Sequence, residues 1–394
     1  MLLKNCRLIP ALSAGHAGLF DIRLQNGRIA AILPTGQPAE ADTLDLQGKT
    51  LLPGLIDLHT HVLVLQGRYK PTDTINPMKL LAKTCDATRE FLDHGFTTIR
   101  ECGSPLRVAN VLRDMIHKGL VEGPRIISCG LIVTPTECEL DNSLAAINAT
   151  ADGADEVRRA VRREVAEGAD FVKCYASGSA LYPEGTPMNP IAEFDELATA
   201  VRIAAMKGKK VAAHAHSDSS IRDCVNAGVY TIEHATYISD ETLKLVADRG
   251  EECYLVPTLA AMHVSNASPD PNEFWNVRLG TMLRTCAVGV RKAYEMDLQL
   301  GFGTDSAAGG EQYNQGLEFK FRKEHCHMDN VDILRQATII NAKILGMDNK
   351  LGLIQEGYIA DLIAVDGAPD EDISCMYCKP ALVFKDGKLV RTNP

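Results

Sequence analysis

Positive charge is in short supply: 41 Lys and Arg face 51 Asp and Glu, giving a formal charge of −10, and no run of basic residues makes a local exception. This argues against nucleic acid or an anionic membrane as partner and leaves a small-molecule substrate as the expectation. Long apolar runs are missing too. No stretch approaches the roughly 18 consecutive apolar residues of a membrane span, and Met1-Leu-Leu-Lys-Asn-Cys-Arg7 lacks the apolar core of a signal peptide, so a cytoplasmic protein is expected. The 12 cysteines follow no disulfide-framework spacing, which fits reduced thiols. The CxxC pair Cys375 and Cys378 has no second pair with which to build a zinc ribbon. It reads as a turn, and His325-Cys326-His327 reads as part of a helical segment.

What remains is bulk. With 394 residues, 45% of them apolar, the chain can bury one large α/β domain plus a smaller appendage. The first stretch, 1–52, reads as all-β: Phe20-Asp-Ile-Arg-Leu24, the turn Asn26-Gly27, then Arg28-Ile-Ala-Ala-Ile-Leu33 form a hairpin pattern. The pattern returns over 357–394, where Ala360-Asp-Leu-Ile-Ala-Val-Asp366 reads as a strand and Pro380 to Lys385, Asp386-Gly387 and Lys388-Leu-Val390 read as a hairpin. The two ends are expected to pair into one small β-sandwich. Between them, over 53–356, strand-like runs alternate with amphipathic helices. After the run ending at His61 come Thr97 to Arg100, Arg125 to Cys129, Phe171 to Tyr175, Lys210 to His214, Thr231 to His234, Cys253 to Pro257 and Leu300 to Asp305. Eight βα units over this length predict a closed (β/α)8 TIM barrel, with chemistry at the C-terminal ends of its strands.

The richest segment is Leu55-Ile-Asp-Leu-His59-Thr-His61. Two histidines one residue apart on a strand point to the same side and make a ready pair of metal ligands. Lys173, His214, His234 and Asp305 each fall at the end of a later strand. Any one of these alone reads as an ordinary barrel residue; six in this order read as a site.

The chain resembles the amidohydrolase superfamily. The resemblance runs through Leu52-Pro-Gly-Leu-Ile-Asp-Leu-His-Thr-His61, Gly95-Phe-Thr-Thr-Ile-Arg100, Lys173-Cys-Tyr-Ala-Ser-Gly-Ser179, Ala213-His-Ala-His216, Ile232-Glu-His234, Gly303-Thr-Asp305, Asn341-Ala-Lys-Ile-Leu-Gly346 and Gly357-Tyr-Ile-Ala-Asp-Leu362. Within the superfamily it is most similar to the branch of imidazolonepropionase-like hydrolases, Xaa-Pro and Xaa-Arg dipeptidases and ochratoxinase. The resemblance implies two divalent metal ions, with zinc expected and Mn, Fe or Co left open. It implies Lys173 carboxylated by carbon dioxide to a bridging carbamate, His59, His61 and Asp305 on one ion, and His214 and His234 on the other. It also implies hydrolysis of a small-molecule amide C–N bond, of an N-acyl amino acid or dipeptide-like compound, by a metal-bridging hydroxide, with Asp305 shuttling the proton to the leaving amine. A cyclic amide, enamide or imidazolone-type substrate is the alternative.

Two further catalytic candidates follow the ligands by two positions. His216 follows His214 on the same strand face and aims at the substrate or hydrogen-bonds a neighbouring loop; Tyr175 follows Lys173 and could donate to a substrate carbonyl or carboxylate. Where dipeptidase relatives commonly carry a GGHGD segment, this chain has Thr134-Pro-Thr-Glu-Cys-Glu-Leu-Asp141, placing Glu137 and Glu139 there. That substitution favours a substrate other than a simple α-carboxylate, unless the loop is solvated surface. The polar stretch from Met262 to Arg278 is a candidate lid. Homo-oligomerisation is common in the family and is expected, with no subunit number fixed by the chain.

Overall fold

The structure, a computed structural model, describes residues 1–62, 76–136, 145–180, 186–263, 274–307 and 316–393. At the N-terminal end, Gly18–Gln25 pairs antiparallel with Arg28–Pro34 around Asn26 and Gly27, both at positive φ (51° and 75°). A tight two-residue hairpin turn requires that conformation. Leu382–Lys385 and Lys388–Thr392 repeat the arrangement around Asp386 (φ 49°) and Gly387 (φ 74°). The two turns touch: a Cβ on Gly387 would lie 3.1 Å from the Gly27 Cα, so glycine is needed there. The terminal segments join where Leu362–Val365 pairs antiparallel with Thr50–Pro53, in one eight-stranded sheet. Leu3, Cys6, Ile22, Leu24, Leu51, Leu362 and Phe384 form its own buried core.

The rest is a barrel wrapped in helices. Leu55–His61, Phe96–Glu101 and Arg125–Ser128 run parallel in one arc. Val172–Tyr175, Val211–Ala215, Thr231–His234 and Tyr254–Val256 run parallel in a second arc. One seam closes through the Asp170 amide on the Ser128 carbonyl (2.7 Å). The other closes through residues 300–305, whose Gly301 amide donates to Leu255 (2.9 Å) while Phe302 and His59 carbonyls accept from Leu58 (3.0 Å) and Asp305 (2.7 Å). Around the outside, Phe91, Val161, Leu197, Ile221 and Leu243 pack helices onto this wall. The protein is therefore an α/β (β/α)8 barrel with a sheet domain built from both termini.

The eighth barrel segment differs from the regular strand that its sequence predicts, since regular pairing there is confined to Ser306–Ala307 with Thr60 and His61. The reason is close approach. A Cβ on Gly303 would come within 2.8 Å of Val256 and 3.0 Å of the His59 Cβ, and one on Gly301 within 3.0 Å of Leu58. Side chains then replace part of the ladder: Asn341 Oδ1 accepts from the Phe302 amide (2.9 Å), and Asp57 Oδ1 accepts from the Thr304 amide (3.1 Å). Sequence pattern also missed a short arm, in which Ile132–Thr134 pairs with Asn148–Thr150 and bridges to Cys174.

Helix ends follow local chemistry. Glu193 and Glu196 form a capping box at Phe194–Ala205, and Ser217 and Ser239 cap Asp218–Ala227 and Asp240–Arg249. Among the described residues no helix is long and apolar enough to cross a membrane, and every cysteine is a free thiol. Cys375 lies in the 3-10 turn Ile373–Tyr377 with Cys378 just after it, and His325-Cys326-His327 follows the helix Gly316–Glu324.

Candidate metal centre

Strand alternation places Asp57, His59 and His61 on one face of Leu55–His61. The Asp305 carboxylate reaches both imidazoles, with Oδ1 3.4 Å from His59 Nε2 and 3.3 Å from His61 Nε2. Lys173 is buried within the fourth barrel strand, Val172–Tyr175, its Nζ 3.5 Å from His59 Nε2. His234 closes the ring, with its centroid 4.9 Å from that of His59 and 4.6 Å from that of His214. The six candidate ligands thus converge. His234 (φ 68°) and Asp305 (φ 54°) both adopt left-handed backbone, a strain of about 1–3 kcal/mol each that persists where the surroundings dictate it, often at functional sites.

The other candidates fall beside this cluster. The His216 ring stacks on His234 at 4.8 Å and meets His214 edge-on at 4.5 Å; Tyr175 meets His214 edge-on at 4.5 Å. Glu137 and Glu139 lie outside the described residues, as do 264–273 of the candidate lid. Its flanks are the turn Leu259–Met262 and the helix Phe274–Glu295.

Partners behind the rings decide which nitrogens face the cluster. His59 Nδ1 donates to Glu233 Oε2 (2.8 Å) and His61 Nδ1 donates to the Gly103 carbonyl (2.8 Å), leaving each Nε2 as the lone-pair nitrogen. His234 Nδ1 contacts the Thr258 hydroxyl (2.6 Å) and His216 Nδ1 the Thr236 hydroxyl (2.7 Å). His214 is reversed: its Nε2 donates to the Gly178 carbonyl (3.3 Å), so Nδ1 carries the lone pair.

Protonation follows from burial and charge. Burial, with Lys173 nearby, brings His59 down to about 4, and burial brings His216 down to about 3. Burial, together with the crowding of the neighbouring imidazoles and Lys173, holds His214 and His234 well below the ordinary histidine value. For His61, burial is outweighed by Asp305, and the ring is raised. Asp305 itself, although partly shielded from solvent, is held below the usual carboxylate range by His59 and His61. The neutral imidazoles of His59, His214 and His234 beside an ionised carboxylate fit a divalent ion. Ligand atoms of His214, His216 and His234, and separately of His59, His234 and Asp305, lie within 4.8 Å of one another. His59, Cys102 and Glu233 are equally close, but both Glu233 oxygens are already engaged, one by His59 Nδ1 itself and one by Arg100.

Four buried charged residues around the centre were not singled out from the sequence. Asp57 accepts from the His59 amide (3.0 Å) and from Thr304 Oγ1 (2.7 Å), tying the first barrel strand to the eighth. Burial raises it to about 7. Glu101, likewise raised to about 7 by burial, accepts from the Gly103 amide (3.2 Å) and Ser128 Oγ (3.1 Å) beneath His61. Arg100 and Glu233 pair at 2.7 Å under His59. The available signal was a charged residue inside an apolar strand, which stays buried only if paired.

The amidohydrolase family model matches residues 50–390. Ochratoxinase of Aspergillus niger is 29% identical over 376 residues, covering 86% of this chain and 75% of that protein. A Xaa-Pro dipeptidase solved with methionine bound in its active site superposes with a TM-score of 0.87 at 30% identity, covering 99% of both chains. A putative prolidase from Bifidobacterium longum gives 0.83 at 26% identity, covering 100% of this chain and 95% of its own. With its barrel, its terminal sheet and its family match in agreement, the chain belongs to the amidohydrolase family, as a hydrolase acting on carbon–nitrogen bonds.

Proposed function

We propose that this protein is a binuclear metal-dependent amidohydrolase cleaving the amide C–N bond of a small molecule, an N-acyl amino acid or dipeptide-like compound. The observation that carries the reading is the convergence of His59, His61, His214, His234 and Asp305 around buried Lys173. An ammonium there would repel a cation, whereas a carbamate on Lys173 offers two anionic oxygens. His59, His61 and Asp305 would hold one ion, His214 and His234 the other, with carboxylated Lys173 between them. Two divalent ions, zinc by this donor set, supply Lewis acidity that activates water and polarises the amide carbonyl.

The chain's own groups then handle protons and orientation. The Asp305 side chain is 26% exposed, against 1% for His59, so it is the ligand open to incoming water and substrate. Kept ionised, it takes the proton of the attacking water and delivers it to the leaving amine, which departs poorly as an anion. His216, neutral at pH 7 and in contact with the Thr236 hydroxyl at Nδ1, donates from Nε2 to the substrate carbonyl oxygen in the tautomer that carries its proton there. Tyr175 donates to a carbonyl or carboxylate beside it. The dipeptide-like substrate draws on the Xaa-Pro dipeptidase and prolidase likeness. On the same reading, residues 53–356 are the catalytic barrel, with 1–52 and 357–394 as the sheet domain.

Metal content per chain, measured with hydrolysis of N-acyl amino acids, dipeptides and cyclic amides, tests the reading. About two ions in the native protein, and loss of both metal and at least about 100-fold in kcat/KM in Lys173→Ala, are expected. One ion or none, unchanged by Lys173→Ala, would sink it.

A further inference from the structure

Glu233 and Arg100 take no part in the reaction proposed above, yet they lie directly beneath it. Glu233 is fully buried; its Oε2 accepts from His59 Nδ1 (2.8 Å), and its Oε1 accepts from Arg100 Nη2 (2.7 Å) and Thr231 Oγ1 (2.6 Å). Arg100 is buried as well. Its Nε donates to the Leu58 carbonyl (2.5 Å), one residue before His59, its Nη1 donates to Thr231 Oγ1 (2.9 Å), and the guanidinium lies 5.2 Å from the Phe171 ring centroid. The first, second and sixth barrel strands are thus tied together under one imidazole.

Among the described residues, no other candidate imidazole ligand has a carboxylate hydrogen-bonded to the nitrogen that faces away from the centre. His61 and His214 lean on the Gly103 and Gly178 carbonyls, and His234 leans on the Thr258 hydroxyl. A hydrogen bond to an ionised acceptor is roughly twice as strong as a neutral one, and a carboxylate behind a ligating imidazole fixes its tautomer and raises its basicity. We propose that Glu233, held by Arg100 and Thr231, is a positioning residue that locks His59 with its proton on Nδ1 and strengthens Nε2 as a donor. The His59, His61 and Asp305 half of the centre is thereby the tighter of two unequal metal sites. The inference rests on the two-ion reading above. Arg100 has a distinct part in it: its Nη2 donates to Glu233 Oε1 and holds the carboxylate so that Oε2 stays turned to His59 Nδ1.

Glu233→Gln tests this, because it preserves shape and leaves Asp305 and His61 in place. Metal-free protein is titrated with zinc against a competing chelator. Crystals loaded with a single equivalent of zinc are read by anomalous scattering. In native protein the first ion is expected on His59, His61 and Asp305. In Glu233→Gln the first step weakens by about 10- to 100-fold, the second is unchanged, and the single equivalent moves or spreads to His214 and His234. Thr231→Val, nearly isosteric and less exposed to misfolding, gives a smaller loss at the same step. Unchanged loading in both variants, or equal weakening of both steps, overturns the proposal. Failure of the two-ion reading is seen separately, in the native titration alone, as fewer than two zinc steps.

Discussion

At the residue scale the centre is governed by what stands behind each side chain. His59 and His61 are both strand histidines of the same face, yet one is lowered and the other raised, because Asp305 faces His61 more effectively than burial opposes it. Asp305 is held ionised by those two rings and so cannot store a proton for long. It suits transfer from water to amine. Asp305→Asn should therefore cost about 10²- to 10⁴-fold in kcat with a much smaller change in KM, read by steady-state kinetics alongside metal content. A kcat within tenfold of native, with metal retained, would remove Asp305 from proton transfer. The histidines and Asp305 were legible in sequence as polar residues at strand ends. Arg100 and Glu233 were not, because a charge inside an apolar run reveals its partner only in three dimensions.

At the scale of elements, the irregular eighth segment forms one seam of the barrel, and a buried ion pair braces it. Arg322 and Glu318, both fully buried on Gly316–Glu324, pair at 2.8 Å. Arg322 Nη2 also donates to the Pro257 (3.2 Å) and Gly301 (3.0 Å) carbonyls, one on each side of the seam, while Glu318 Oε2 accepts from the Ala260 amide (2.8 Å). Arg322→Met should cost about 3–5 kcal/mol by urea denaturation, since it strands a buried carboxylate. Converting Glu318 to Gln as well should recover part of that loss. A single variant of native stability would show that the seam does not depend on the pair. The hydrophobic pattern predicted a strand here, but the glycines that permit close packing also cost it regular pairing.

At the scale of the molecule, the chain ends are structural parts of one another. Arg125, at the base of the barrel, bonds Asp361 (2.7 Å) and Asp386 (3.1 Å) of the C-terminal segment, and Arg391 bonds Asp93 (2.6 Å) and Glu122. Deleting residues 357–394 would also uncover buried Leu51 and Leu52. The shortened chain should lose cooperative thermal unfolding and aggregate, as followed by circular dichroism and light scattering. A soluble product melting close to the full-length protein would show the barrel to be independent of the sheet.

The sequence by itself determined the periodicities, and with them the barrel, the hairpins at both ends and the order of polar residues at strand C-termini. These are local properties: alternation, turn chemistry and helix caps act over a few residues. Only the tertiary structure decided that Glu233 stands behind His59, that His214 turns its Nδ1 rather than Nε2 inward, and that residues 300–305 close the barrel through side chains. Each depends on groups far apart in the chain, such as His59 with Glu233 or Phe302 with Asn341, whose meeting is set by closure of the whole barrel.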